Sequence, residues 1–256
     1  IYLEYNIEEM NTNLMKITAF LALPIVALSC SENTGGQDGY AAFSLTSDGI
    51  VAEVTRSNVS DYADLPSADA FRLQVSDARG TSVYAGLLKD YDASTPLKAG
   101  NYSVTAACGS SSEEGFGKPY FSGRSDFGIA GGDSKVVKIR ATLANSIVRF
   151  VFTDTFKSYY PDYSFTLTTG GGTAIDFPKG ETRAAFIDAY KFSVSGTLTN
   201  QGGKSLAFNK SYDKSIEAGK CYVLKFDVSN VGGAAISISF DDNVEDVALS
   251  EIELND

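Results

Sequence analysis

Apolar and polar residues alternate with a period of two in one short run after another, and this periodicity is the strongest constraint on the fold. Residues 71–75 read Phe, Arg, Leu, Gln, Val, and Tyr102, Val104, Ala106 and Cys108 share one face of the next clear run. Further runs cover 136–141, 147–152, 165–167, 192–198, 222–228 and 236–240. Successive side chains on a strand point to opposite faces, so such runs suit strands with one face in a core. Each is bounded by Gly, Asn, Asp or Ser, as in a β-sandwich. The chain has 24 Gly against 6 Pro and is rich in Tyr (14) and Phe (16), which favours strands and tight turns. Residues 155–160 have room for one helical turn, and 60–69 read as loop. The fold expected is all-β: two tandem antiparallel β-sandwich domains.

One local pattern occurs twice. Leu97, Lys98, Ala99, Gly100, Asn101, Tyr102 has a counterpart in Ile216, Glu217, Ala218, Gly219, Lys220, Cys221, Tyr222. Each is a strand end, an Ala-Gly turn and an alternating strand, and glycine suits the positive φ such a turn can need. One copy per domain places a boundary near Leu143, Ala144 and Asn145, giving domains at 40–143 and 144–256.

The first residues read as an address. Residues 1–14 carry Glu4, Glu8 and Glu9 and show no globular pattern, so Met15 is the better start. Lys16 then supplies a positive n-region, followed by the apolar run 17–28, the small residue Ser29, and Cys30. That run is too short for a membrane-spanning helix, which needs about 20 residues, but fits a signal-peptide core. Ala27, Leu28, Ser29 and Cys30 resemble the lipobox of bacterial lipoproteins, in which the cysteine thiol receives diacylglycerol. The usual leucine stands one position earlier. Residues 1–29 are thus expected to be upstream sequence and signal peptide, Cys30 the lipid attachment site, and 30–39 a flexible tether. Several acyl chains at ~0.8 kcal/mol per buried CH2 anchor a protein stably.

Composition excludes several function classes. With no histidine there is no Ser-His-Asp triad, no Cys-His pair and no imidazole ligand or base. Three scattered cysteines cannot make a four-cysteine metal or iron–sulfur site. A net charge of -11 argues against nucleic acid as partner. No cofactor and no metal are expected.

An ordered set of segments carries a family resemblance: 97–102, 119–123 (Pro-Tyr-Phe-Ser-Gly), 143–146 (Leu-Ala-Asn-Ser), 156–163, 179–184 (Lys-Gly-Glu-Thr-Arg-Ala) and 218–220. Together they resemble a group of Bacteroidales surface lipoproteins known only as a domain of unknown function, among the fimbrillin-like, transthyretin-like two-domain β-sandwich proteins. The resemblance covers most of 40–256. It implies a lipid-anchored protein of the outer membrane, displayed on the cell surface, in a pilus-like or adhesive structure. It transfers no catalytic residue. It further implies that an arginine-specific protease can remove the first strand and open a groove for a neighbouring subunit's strand. Arg56, at the end of the strand-like segment 51–56, is the candidate cleavage point.

Other candidates are few. Tyr159, Tyr160 and Tyr163, around Pro161 and Asp162, form the most aromatic loop; they either pack over an open end of the sandwich or are candidate glycan contacts, because exposed tyrosines combine an apolar ring with a polar tip. Glu113 with Glu114, and Asp241, Asp242, Glu245 and Asp246, read as solvated loops; a glycosidase needs two carboxylates about 5–9 Å apart in a cleft. Gly170, Gly171 and Gly172 lack the Lys-Ser/Thr of a phosphate loop. Cys108 and Cys221 are expected in separate cores as free thiols rather than a disulfide. Three roles stay open: a structural or adhesive surface lipoprotein, a glycan-binding lipoprotein of nutrient uptake, and a carboxylate-dependent hydrolase.

Overall fold

The computed structural model describes residues 37–45, 53–54, 57–213, 216–230, 233–240 and 243–245. Cys30, Arg56, Asp241, Asp242 and Asp246 lie outside the described residues. The first strands are β1 (Tyr40–Leu45), β2 (Glu53–Val54), β3 (Ser57–Asn58), β4 (Arg72–Asp77), β5 (Ser82–Leu87), β6 (Gly100–Cys108), β7 (Gly115–Phe116), β8 (Phe121–Ile129), β9 (Ser134–Ile139) and β10 (Thr142–Leu143). There follow β11 (Ser146–Phe152), α1 (Asp154–Tyr159), β12 (Asp162–Thr169), β13 (Ala174–Pro178), β14 (Ala185–Ile187), β15 (Phe192–Thr199), β16 (Ser205–Tyr212), β17 (Cys221–Asn230), β18 (Gly233–Phe240) and β19 (Asn243–Glu245). The protein is all-β, and every alternating run read from the sequence is a strand. The turn expected at 155–160 is α1. Its N-cap is Thr153, whose Oγ1 accepts from the Phe156 N–H at 3.1 Å and donates to Asp227 at 2.7 Å.

The N-terminal half builds an antiparallel sheet in the order β10-β8-β6-β4-β5. Opposite it, β1 lies parallel to β9, from Tyr40 beside Ser134 to Leu45 beside Ile139. Gly39 already pairs with Leu97, and the Tyr40 N–H donates to Asp133 O at 2.7 Å. Residue 39, expected in the tether, is therefore hydrogen-bonded into the fold. The C-terminal half has a six-stranded sheet, β19-β18-β17-β11-β14-β7, and a four-stranded meander, β13-β12-β15-β16.

Two hydrophobic cores form. Phe71, Leu73, Val75, Val104, Phe121 and Ile139 lead the first. The second is strongly aromatic: Phe150 stacks on Phe177 at 4.1 Å between ring centroids, and Phe165 lies 4.4 Å from Phe226. Aromatic pairs at such spacings add ≈ 0.5–1.5 kcal/mol each beyond their area burial.

The six-stranded sheet faces both cores where β11, β14 and β17 meet. Val148, Ala185 and Tyr222 enter the second core, whereas Ile147 and Phe186, opposite each other in register, enter the first. Cys221, beside Ile147, also packs against the first core. This explains why β11 reads as a nearly continuous apolar run: a strand covered on both faces has no solvent side to mark with polar residues. It also corrects the expectation that Cys108 and Cys221 belong to separate cores, since both are half-buried against the first, and the Cys221 thiol donates to the Tyr62 hydroxyl at 3.6 Å. Burial pushes the Cys108 thiol up from its ordinary value.

The repeated motif has a physical counterpart. Leu97 and Ile216 are the buried anchors, one in each core. The Tyr102 hydroxyl donates back to Lys98 O at 2.7 Å, and the Tyr222 hydroxyl accepts from the Glu217 N–H at 2.7 Å. Each tyrosine thus pins the turn that precedes its strand, as tyrosine corners do in other sandwiches. The glycines differ: Gly219 takes a positive φ of 73° inside the turn, whereas Gly100 opens β6.

Candidate functional site: the junction cleft

The chain segments where the halves meet are joined by buried polar groups. Asn145 is 4% exposed. Its Nδ2 donates to Lys118 O at 2.9 Å, its Oδ1 accepts from the Tyr120 N–H at 3.2 Å, and its main-chain carbonyl accepts from the Gly219 N–H at 2.9 Å. Ser146, fully buried, donates to Glu217 O at 2.8 Å. A buried amide or hydroxyl without partners is costly, so these groups specify how the loops meet.

A second joint runs through 179–184. Glu181 accepts from the Thr182 and Arg183 N–H groups and from the Arg183 guanidinium, at 2.7–3.0 Å. The guanidinium and these N–H bonds hold its carboxyl down to about 2. The guanidinium carbon stands 4.3 Å from the centre of the Phe116 ring, a cation–π contact; Phe116 lies on β7, an earlier segment of the chain that pairs with β14 at the edge of the six-stranded sheet. Ala184 then enters the first core.

Beside this joint lies a cleft of about 310 Å³ lined by Ser111, Ser112, Glu114, Gly171, Thr173, Asp188 and Tyr190. Glu114 is half-buried. Its Oε1 accepts from the Asp188 N–H at 2.9 Å, and its Oε2 accepts from the hydroxyl of buried Thr169 at 2.7 Å. The Thr169 hydroxyl in turn accepts from the Thr173 N–H at 3.1 Å, which closes the β12–β13 hairpin through the glycines 170–172. Tyr190 is 53% exposed. Its ring occupies the space a side chain at 170 would need: a Cβ on Gly170 would lie 1.8 Å from the Tyr190 Cδ1. The glycine run is thus a hairpin turn and a seat for an aromatic ring. Sequence reading missed this cleft because its members come from three separated loops. It read Glu114 as a solvated loop residue, although its bonds to Thr169 and Asp188 fix it in place.

A family model for a domain of unknown function, DUF4493, matches residues 37–255. The chain belongs to the DUF4493 family. No curated protein matches the sequence. Among solved structures, this DUF4493 chain is similar to a candidate polysaccharide-binding protein (DUF1812) from Bacteroides thetaiotaomicron, with 12% identity over 84% of this chain and 99% of that one and a TM-score of 0.48. It is similar to a candidate cell adhesion protein from Bacteroides eggerthii, with 14% identity over 86% and 94% of the two chains and a TM-score of 0.45. It is also similar to the fimbrial anchor protein Mfa2 from Porphyromonas gingivalis, with 10% identity over 83% and 99% and a TM-score of 0.45.

The DUF4493 fold places the tyrosines named from sequence in its interior. Tyr160 and Tyr163 are 2% and 6% exposed and belong to the second core. Tyr159 is half-buried and meets Tyr160 edge-on at 4.9 Å. Phe156, projecting from α1, gathers Tyr160 at 5.2 Å and Tyr163 at 5.3 Å. The rings of Tyr160 and Tyr163 are spent on packing, so of the two readings of this loop the packing one holds and these two do not offer a stacking platform. Among the described residues no group of three or more His, Cys, Asp or Glu is placed to hold a metal.

Proposed function

We propose that this DUF4493 protein is a non-enzymatic surface lipoprotein with a structural or adhesive role, tied to the outer membrane through Cys30 and serving a pilus-like assembly as an anchor or accessory subunit. The observation that carries this reading is β1. It stands parallel to β9 over its whole length, and Ala41 within it is 1% exposed in the first core. The place beside β9 is therefore filled by the chain's own first strand. In the strand-exchange scheme implied by the resemblance, a subunit that keeps this strand cannot accept a neighbour's strand there. That is the condition of an anchor or terminal subunit. Cleavage after Arg56 would detach β1 together with the lipid on Cys30, so anchoring and strand acceptance exclude one another in one molecule. Fimbrial anchoring and cell adhesion are also the roles carried by two of the similar solved structures.

The test is mass spectrometry of the protein in membrane and in assembled material. An N-terminus at lipidated Cys30 with β1 retained supports the anchor reading; an N-terminus at Ser57 in assembled material overturns it in favour of a polymerising subunit. A Cys30→Ala variant is expected to leave the membrane fraction, and its retention there would refute the lipid anchor. A second reading, glycan capture at the surface, is favoured by one observation, the exposed Tyr190 in the junction cleft.

A further inference from the structure

We propose that the junction cleft binds an uncharged pyranose, with the Tyr190 ring as the stacking platform and Glu114 and Asp188 as acceptors for sugar hydroxyls; this rests on the glycan-capture reading and names its site and substrate class. Three features of the cleft lead there. The first is the ring. Tyr190 is the most exposed tyrosine among the large exposed hydrophobics of the described residues, and the backbone at Gly170 limits its rotation on one side. An aromatic ring seated against backbone on one side has less conformational freedom to lose when a ligand stacks on it.

The second is the rest of the lining. Ser111, Ser112 and Thr173 supply hydroxyls and Glu114 and Asp188 supply carboxylates, with no aliphatic side chain among the lining residues. An apolar ligand would find nothing else to bury against. A ligand that is apolar on one face and rich in hydroxyls around its edge matches both parts of the surface, and a pyranose is such a ligand. The volume, about 310 Å³, lies at the lower end of small-molecule sites.

The third is charge and order. Each Glu114 oxygen already accepts one hydrogen bond, from the Asp188 N–H or from the Thr169 hydroxyl, so the carboxylate is aimed before any ligand arrives. Each oxygen keeps a further lone pair to accept a sugar hydroxyl. Two carboxylates line the cleft, and the Lys191 ammonium, 6.0 Å from the Tyr190 ring centre, stands outside the lining, so the acceptors inside it disfavour uronic acids and sulfated sugars.

The experiment is calorimetric titration of the full-length protein with neutral hexasaccharides of glucose and of mannose, and with the hexamer of galacturonic acid. Binding of a neutral hexamer is expected. Tyr190→Ala should weaken it by about tenfold or more, and Tyr190→Phe, which keeps the ring, should change it by less than about threefold. Tyr190 is exposed, so both variants are expected to fold; unchanged melting temperatures verify this. Neutral-sugar affinity unaffected by Tyr190→Ala would overturn the site and leave glycan capture standing. Tighter binding of the galacturonate hexamer would overturn the ligand class. Binding of none of the sugars would overturn the inference and glycan capture together, while the anchor role is judged separately at Cys30.

Discussion

Asn145→Ala tests whether the junction is held by specific hydrogen bonds or by apolar contact alone. The substitution removes a donor to Lys118 O and an acceptor for the Tyr120 N–H, and leaves the main-chain bond to Gly219 in place. Asn145 itself is 4% exposed, so water does not readily replace the lost amide. An orphaned buried partner costs about 1–3 kcal/mol. Here Tyr120 is half-buried and Lys118 is exposed, so their main-chain groups are partly open to water. The two losses together are therefore placed at about 1–3 kcal/mol rather than twice that. For a chain of this size each kcal/mol shifts the melting temperature by roughly 2–4 °C, which gives a fall of about 2–12 °C by circular dichroism or calorimetry. Asn145→Asp is the control. At neutral pH it keeps the acceptor for Tyr120 but points an anion at the Lys118 carbonyl, and it is expected not to rescue. A fall below about 1 °C for Asn145→Ala, with the fold intact, refutes the claim that these bonds specify the junction.

Two further outcomes follow from the same structure. The Glu181 carboxyl is held down to about 2 by Arg183, so its contribution to stability is present in full above its ordinary value of 4.5 and is lost as pH falls toward 2; comparing wild type with Glu181→Gln, the stability difference should shrink across that window, and a difference that grows on acidification contradicts the assignment. Tyr160→Ala is expected to destabilise by about 3 kcal/mol or more, as large-to-small changes in aromatic cores do, with urea denaturation as the measure; a marginal effect would return Tyr160 to the list of surface contacts.

The strands were legible because period-two alternation is a local signal, and β4, β6, β12, β15 and β16 each present one face to a core and one to solvent or to a neighbouring loop. The sharing of one sheet between two cores was not legible. Ile147 and Val148 are both fully buried but on opposite faces, and a run of apolar residues does not say which neighbour covers which side. The tyrosine loop could be read two ways for a related reason. Proline and aspartate beside Tyr160 and Tyr163 marked a turn, and turns are usually at the surface, but the capped helix α1 folds this turn over the open end of the second core. The cleft is a product of long-range contacts: Glu114 meets Thr169 and Asp188 across 55 and 74 residues, and no window along the sequence contains that information.

The segments that carried the family resemblance acquire a physical meaning from the structure. Tyr120 pairs with both Ala144 and Asn145; Ser146 and Asn145 hold Glu217 and Gly219; Arg183 covers Phe116, and Ala184 fills the first core. Four of the six segments, at 119–123, 143–146, 179–184 and 218–220, therefore meet at the junction, where Phe121, Leu143 and Ala184 also enter the first core. Core positions tolerate exchange among apolar residues of similar volume, so they leave little fixed pattern in a sequence. Junction positions need one particular amide, hydroxyl or guanidinium at one particular place, because each unsatisfied buried polar group is costly. A motif set of this kind marks how two β halves are docked rather than what they bind. It follows that a ligand site in such a chain is to be sought where the docking loops leave a gap, and Glu114, Thr169 and Asp188 border the cleft that Tyr190 overlooks.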